Sequence, residues 1–174
     1  MNGHLEVVQY LVECGADVHA QNEEGLRWAS RNGRLEAMRY LVEECGADVH
    51  ALNEQAVRWA SSYGRLEEVR YLVEECGADV HAQNDFALRY ASYKGQLQVV
   101  QLLVECGANV HAENDAALTW ASEQGHLEVV KYLVETGKAD LQAQDDRALL
   151  WAYMSDRQDV VEYLESKYDF QANE

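Results

Sequence analysis

The chain has 174 residues, enough for one domain or for a short array of repeats. With 31 Asp and Glu against 14 Lys and Arg, its formal charge of −17 produces a field that repels nucleic acid and anionic membranes. No apolar run approaches the ~20 residues of a membrane span and no leader sequence opens the chain, so we expect an intracellular protein that binds neither nucleic acid nor a membrane.

One block of sequence recurs along the chain at a spacing of 30 or 31 residues, a period typical of stacked repeat proteins. The block opens at Gly3, Gly33, Gly64, Gly95, Gly125 and Asp156. We predict a single array with no further domain. It comprises a partial N-terminal unit (1–20), full units at 21–51, 52–82, 83–112 and 113–143, and a C-terminal capping unit at 144–174.

Each full unit begins with a short helix of the kind "ALRYAS", residues 87–92. Leu88, Ala91 and Ser92 share one face, and the two small residues allow a neighbouring helix to approach closely. An Asn or Asp precedes each such helix and predicts an N-cap. The predicted helix starts are Glu23, Glu54, Asp85, Asp115 and Asp146. The segment between units is too short for a two-stranded hairpin, so we expect no strands there.

The second helix of each unit is amphipathic. In the third copy, Leu66, Val69, Leu72 and Val73 recur at the spacing that forms one apolar stripe. The helix ends at a "CGAD" segment, where Gly can adopt the left-handed C-cap conformation. Helix, tight turn, helix and Gly-ended loop, repeated without a single Pro, predict an all-α helix-turn-helix solenoid.

The segment "NGHLEVVQYLVECGADVHA" (2–20) and its copies resemble the second helix and following loop of ankyrin repeats. The first helix departs from that family, because "NDFALRYAS" stands where "DxxGxTPLHxAA" is usual and each unit is shorter than about 33 residues. Shortened repeats of this kind are similar to those abundant in giant DNA viruses of amoebae. The resemblance implies a viral protein in the cytoplasm of an infected host cell, and one that contacts other proteins.

The sequence contains no catalytic constellation. Adjacent carboxylates such as Glu43 and Glu44 point about 100° apart on a helix and cannot flank one substrate. Ser-His-Asp, H-E-x-x-H and Gly-rich phosphate-binding motifs do not occur. We therefore predict that the protein is not an enzyme and uses no cofactor.

Histidines and cysteines each recur in one slot of successive units. Stacked units hold equivalent side chains roughly 8 to 10 Å apart, too far for one zinc ion or one disulfide. We predict free thiols and no metal site, with the histidines forming loop hydrogen bonds or, as an alternative, a pH-responsive ladder. The residues are His19, His50, His81 and His111, and Cys14, Cys45, Cys76 and Cys106.

An aromatic residue with an Arg before it recurs in the first helix of the units. It lies on the side opposite the apolar face, and in an ankyrin-like stack that side lines the concave groove. Two interpretations stay open: the rings and Arg side chains form internal cation–π packing, or they form a contact surface. Two kinds of position near this pair vary between copies. One is the position three residues before the Arg, which is Phe86 in the third full unit. The other is the pair at the helix end, such as Arg31-Asn32, Ser62-Tyr63 and Tyr93-Lys94. Such variable positions lie outside the shared packing.

We interpret the chain as a non-catalytic protein-protein interaction module, expected to be a monomer, that holds a partner on the concave face. The alternative is a structural spacer or scaffold segment with no specific ligand. The acidic field favours a basic or mixed-charge partner segment. We further expect substitution of Arg58 or Arg89 to weaken binding more than stability. The predicted contact residues are Arg27, Trp28, Arg58, Trp59, Phe86, Arg89, Tyr90, Trp120 and Trp151.

Overall fold

A computed structural model describes residues 3–171, and of residues 3, 144, 145 and 169–171 it describes the backbone alone. This part of the chain contains eleven α-helices and no strand, which confirms the predicted all-α solenoid. The helices are α1 (Gly3–Glu13), α2 (Ala20–Asn32), α3 (Leu35–Arg39), α4 (Ala51–Ser62), α5 (Leu66–Arg70), α6 (Ala82–Tyr93), α7 (Leu97–Glu105), α8 (Ala112–Gln124), α9 (Leu127–Glu135), α10 (Ala143–Met154) and α11 (Gln158–Gln171). None of them is both long and apolar enough to cross a bilayer.

The helices form two rows. The even-numbered helices, called inner helices here, pack side by side from α2 to α10, and each is followed by an outer, odd-numbered helix that packs against it. Ala60, Ala91 and Ala121 are fully buried between the inner helices, as expected for close helix approach. Leu72 and Leu103 of the outer row are fully buried as well, so a continuous apolar layer lies between the rows.

Four of the inner helices, α2, α4, α6 and α8, contain a left-handed turn of three residues near their start. Residues 21–23, 52–54, 83–85 and 113–115 all have φ between 52° and 63°. The predicted Asn caps are therefore wrong, because an N-cap has extended backbone whereas Asn22 has φ 55°. Asn tolerates the left-handed region better than most residues, which is why it recurs here. Right-handed helix follows this turn, one residue later than predicted, and no strand pairs across 79–86, as expected.

The variation between spacings of 30 and 31 residues has a structural cause. Units that read "YLVEEC" contain one more residue than the unit that reads "LLVEC". Their outer helices α3 and α5 end in π-helical turns, Tyr40–Glu44 and Tyr71–Glu75, whereas α7 is regular. A single inserted residue is commonly accommodated as a π-bulge. The extra Lys138 instead lies in the loop after α9, with φ 58°.

Successive units are joined through the residue that follows the repeated Gly. The side chain of Arg65 donates to the carbonyl oxygen of Arg31 at 3.0 Å, at the end of the preceding inner helix. The same contact recurs at 3.0 Å from Arg157 to the carbonyl oxygen of Glu123. Arg157, in the predicted capping unit 144–174, therefore makes the same contact to the preceding inner helix as Arg65 does.

Candidate functional site

The aromatic side chains of α2 and α4 form one cluster with an arginine. The rings of Trp28 and Trp59 meet edge to face, with centroids 6.2 Å apart at 74°. The guanidinium of Arg31 lies 4.9 Å from the Trp28 centroid and 4.6 Å from that of Tyr63. Trp28 and Tyr63 remain 45% and 44% exposed, so the cluster presents open ring surface.

A second cluster lies two units further along. Phe86 and Tyr90 stack at 5.2 Å and 14°, and Tyr93 meets Trp120 edge to face at 6.3 Å. The ammonium of Lys94 lies 5.0 Å from the Tyr93 ring and is exposed. The half-buried Phe86, Tyr90 and Trp120 take part in the internal packing, and part of each side chain stays open to solvent.

Trp151 on α10 extends the ladder to the last inner helix. It is half-buried and lines a shallow cavity of about 380 Å³ together with Trp120 and Arg89. All nine predicted contact residues thus lie along one row of inner helices, which we call the inner-helix face.

The arginine of the repeated pair holds the left-handed turn against its helix. Nε and Nη2 of Arg89 donate to the carbonyl oxygens of Asn84 and Gln83 at 2.9 and 2.8 Å. Both carbonyls belong to residues of the left-handed turn. Equivalent bonds run from Arg27 to the carbonyls of Asn22 and Gln21, at 3.0 and 2.7 Å, and from Arg58 to the carbonyl of Leu52, at 2.8 Å.

The same arginines also bridge neighbouring units. Nη1 of Arg58 donates to Oε1 of Gln83 at 2.7 Å, and its guanidinium lies 5.5 Å from the Phe86 ring. Burial lowers the pKa of Arg58. Because these donors are used within the protein, we now expect substitution of Arg58 or Arg89 to lower stability as well.

The sequence interpretation missed two cations of this face. In the described part of the chain, the side-chain nitrogens of Arg31 and Lys94 contact rings but make no hydrogen bond or ion pair. Both residues belong to the helix-end pairs that vary between copies, and that variation was the signal available. Tyr63 and Tyr93, the rings beneath them, belong to the same pairs.

Charge is distributed unequally between this face and the rest of the protein. The inner-helix segments 24–32, 55–63, 86–94, 116–124 and 147–155 contain six Lys and Arg but two Asp and Glu. The other 129 residues contain 8 Lys and Arg and 29 Asp and Glu. These segments are therefore locally basic on a strongly acidic protein, whereas the turns that precede them carry carboxylates such as the exposed Glu113 near Arg89.

The repeated histidines bond to a buried carboxylate four residues later. The acids are each 5% exposed, and the His side chains are largely exposed. From the Nδ1 atoms the pairs are His19–Glu23 (2.7 Å), His50–Glu54 (2.6 Å), His81–Asp85 (3.0 Å) and His111–Asp115 (3.0 Å). The hydrogen bond to Glu raises the pKa of His19 and of His50.

Two of these carboxylates also tie units together. Oδ1 of Asp85 accepts the backbone N–H of Asn109 at 2.7 Å, and Oδ1 of Asp115 accepts that of Asp140 at 3.0 Å. Across the described residues, no three His, Cys, Asp or Glu side chains converge on a common point. The four cysteines are free thiols, and burial raises the pKa of Cys76 and Cys106.

Stacked helix pairs of one repeated pattern define a helical-repeat protein, and the sequence assigns it to a particular family. The family model of ankyrin repeats, in three copies, matches residues 1–84, 26–114 and 88–174. The chain therefore belongs to the ankyrin repeat family. Ankyrin repeats are generally protein-protein interaction modules and are typically not enzymes. A search of the curated proteins found no match to the chain.

Proposed function

We propose that this protein is a non-catalytic module that binds a partner protein on the concave inner-helix face. One observation carries the proposal: an aromatic ladder runs along the inner helices and stays partly open, with Trp28 45% exposed. Trp, Tyr and Arg are the residues that most often dominate the binding energy of protein interfaces. The helix-end side chains beside the ladder differ between units, and such differences allow the face to discriminate between partner proteins.

The setting of this function is part of the proposal. The shortened units support a protein of the giant-virus type that acts as a monomer inside an infected host cell. Free thiols suit a reducing compartment. The partner contacts predicted at Arg27, Arg58 and Arg89 are made by the faces of the guanidinium groups, since Nη atoms of all three bond within the protein.

The test is capture of proteins from a host extract with the full chain and with matched variants. The variant Trp28→Ala/Tyr63→Ala removes exposed ring surface from the inner-helix face, whereas Tyr10→Ala removes an exposed ring from α1. We expect the wild type and Tyr10→Ala to retain the same proteins and the inner-face variant to lose them. Identical capture by all three would contradict binding on this face.

A second candidate function, a scaffold segment of a longer array, is favoured by the apolar surface between α1 and α2. A cavity of about 840 Å³ is lined there by Val8, Leu11 and Trp28 among others, and Leu11 is 50% exposed. Stacking a further helix pair is how repeat proteins bury such a face. This candidate predicts a well-folded array whose inner-face variants change no binding property.

A further inference from the structure

We propose that the segment bound on the inner-helix face is acidic: an extended stretch of a partner protein whose carboxylates pair with Arg31 and Lys94. The inference rests on the proposed function and names the chemistry of its partner. It reverses the basic or mixed-charge partner expected from the net charge of −17.

The first support is the local charge of the face. Around Arg31 and Lys94, the inner-helix segments 24–32, 55–63 and 86–94 contain five cations and one carboxylate, Glu24. A ligand within hydrogen-bonding distance responds most strongly to the nearest charges, because the Debye length at physiological ionic strength is about 8 Å. The acidic residues elsewhere therefore contribute less at contact than the cations of the face.

The second support is how cations are paired on the two rows. On the outer helices, Arg39 donates to Glu75 at 2.7 Å and Arg70 to Glu74 at 2.9 Å. On the inner-helix face, none of the described salt bridges includes Arg31 or Lys94. These two cations lack a carboxylate partner even though the protein carries 17 more acidic than basic side chains. The place of that carboxylate is open to a ligand.

The third support is the geometry of Arg31. Trp28 and Tyr63 lie 4.9 and 4.6 Å from its guanidinium carbon. Stacked rings orient and partly desolvate the guanidinium, whereas its N–H donors point outward in the guanidinium plane. A carboxylate can meet two such donors at once, which makes this pairing stronger than a contact with a solvated cation. Lys94 offers a second point of attachment beside Tyr90 and Tyr93.

A single-stranded nucleic acid also combines negative charge with stacking groups. It carries a phosphate at every nucleotide, so the field of a −17 protein repels it along its whole length. A protein segment can place a few carboxylates at the two cations and present apolar side chains to the rings between them. The observations therefore favour the acidic protein segment.

The experiment selects binders to the full-length chain from a random peptide library and measures their affinity by tryptophan fluorescence. All four tryptophans lie on the inner helices, so the signal reports on this face. We expect enriched peptides rich in Asp and Glu. The variant Arg31→Gln/Lys94→Gln should weaken them about tenfold, in line with losing a hot-spot contact. The outer-row control Arg70→Gln/Lys131→Gln changes the net charge equally and should have no such effect.

The outcomes separate the inference from the proposed function. Enriched peptides that are basic or neutral, or that bind the Arg31→Gln/Lys94→Gln variant as tightly as wild type, would overturn the acidic partner and leave the binding face intact. An oligothymidylate that displaces the acidic peptides at equal concentration would overturn it in favour of nucleic acid. A selection that yields no peptide able to change tryptophan fluorescence would contradict both.

Discussion

The inner and outer helices of this solenoid use their cations in opposite ways. On the outer helices, four cations form ion pairs with glutamates. The pairs are Arg39 with Glu43 and Glu75, Arg70 with Glu74, Lys131 with Glu128 and Lys167 with Glu135. On the inner helices, Arg27, Arg58 and Arg89 donate to backbone carbonyls or to glutamine, and Arg31 contacts rings. These outer cations are therefore neutralised by neighbouring carboxylates, whereas Arg31 and Lys94 contact rings and, in the described part of the chain, no carboxylate.

This difference shows that one repeated sequence pattern can carry two unrelated tasks. Outer ion pairs are exposed, and pairs of that kind contribute little to stability. The inner arginines close a left-handed turn in unit after unit, so they contribute to folding while presenting their faces to solvent. Substitutions in the two rows test this difference, and the largest effect is expected at Arg89.

Replacing Arg89 by Ala should lower the free energy of unfolding by about 2 kcal/mol, because a charged donor loses two carbonyl partners. The matched outer variant Arg70→Ala loses one exposed pair with Glu74 and should change it by about 0.5 kcal/mol or less. Urea denaturation of both variants measures the difference. Equal losses would show that inner and outer arginines do not differ in structural role.

Replacing Leu52 by Gly should raise the free energy of unfolding by about 0.5–1 kcal/mol. Leu52 has φ 53°, a left-handed conformation that Gly adopts without the ~1–2 kcal/mol that a side chain adds. The control is Leu150→Gly, a similarly exposed leucine in right-handed α10, where Gly should destabilise by about 1 kcal/mol. Destabilisation by both substitutions would argue against a strained turn at the start of the inner helix.

The smallest effect concerns pH. Since the hydrogen bond to Glu54 raises the pKa of His50, this pair stabilises the fold below the ordinary His pKa near 6.5. That contribution is lost as pH rises through the raised value. The melting temperature of wild type should therefore exceed that of His50→Gln by more at about pH 6 than at about pH 8.

The outer row offers the contrast for this measurement. Arg39 lowers the pKa of Glu75, so that pair stabilises above the ordinary Glu pKa and is lost only in acid. Glu75→Gln should consequently leave the difference between pH 6 and pH 8 unchanged. A His50→Gln difference that is constant over the same range would contradict a charged His–Glu pair.

The fold was largely predictable because repetition removes ambiguity. A period of 30 or 31 residues with an apolar stripe indicated two helices per unit. The small residues Ala91 and Ser92 were correctly assigned to the buried face, where both are fully buried. Burial follows from periodicity, and periodicity is a local property of the chain.

The helix starts show where local reasoning stops. Asn22 precedes an acid and resembles an N-cap, yet its backbone is left-handed. The carboxylate of the adjacent Glu23 bonds to the side chain of His19. Asn and Asp favour both N-caps and left-handed turns, so residue type alone does not choose between them. The stacking of complete units, which leaves no room for a hairpin, selected the turn.

By itself the sequence determined the family, the helix pairs and the row of aromatic side chains on the inner helices, because each depends on residue type and spacing. Contacts that form only in the folded chain show that the Arg89 donors bond to the turn and that Arg31 and Lys94, in the described part of the chain, contact rings but no carboxylate. Net charge is a sum over the chain and carries no information about where the charged residues lie on the surface. The field that a partner meets depends on which charges share a surface, and that is fixed by how the units stack.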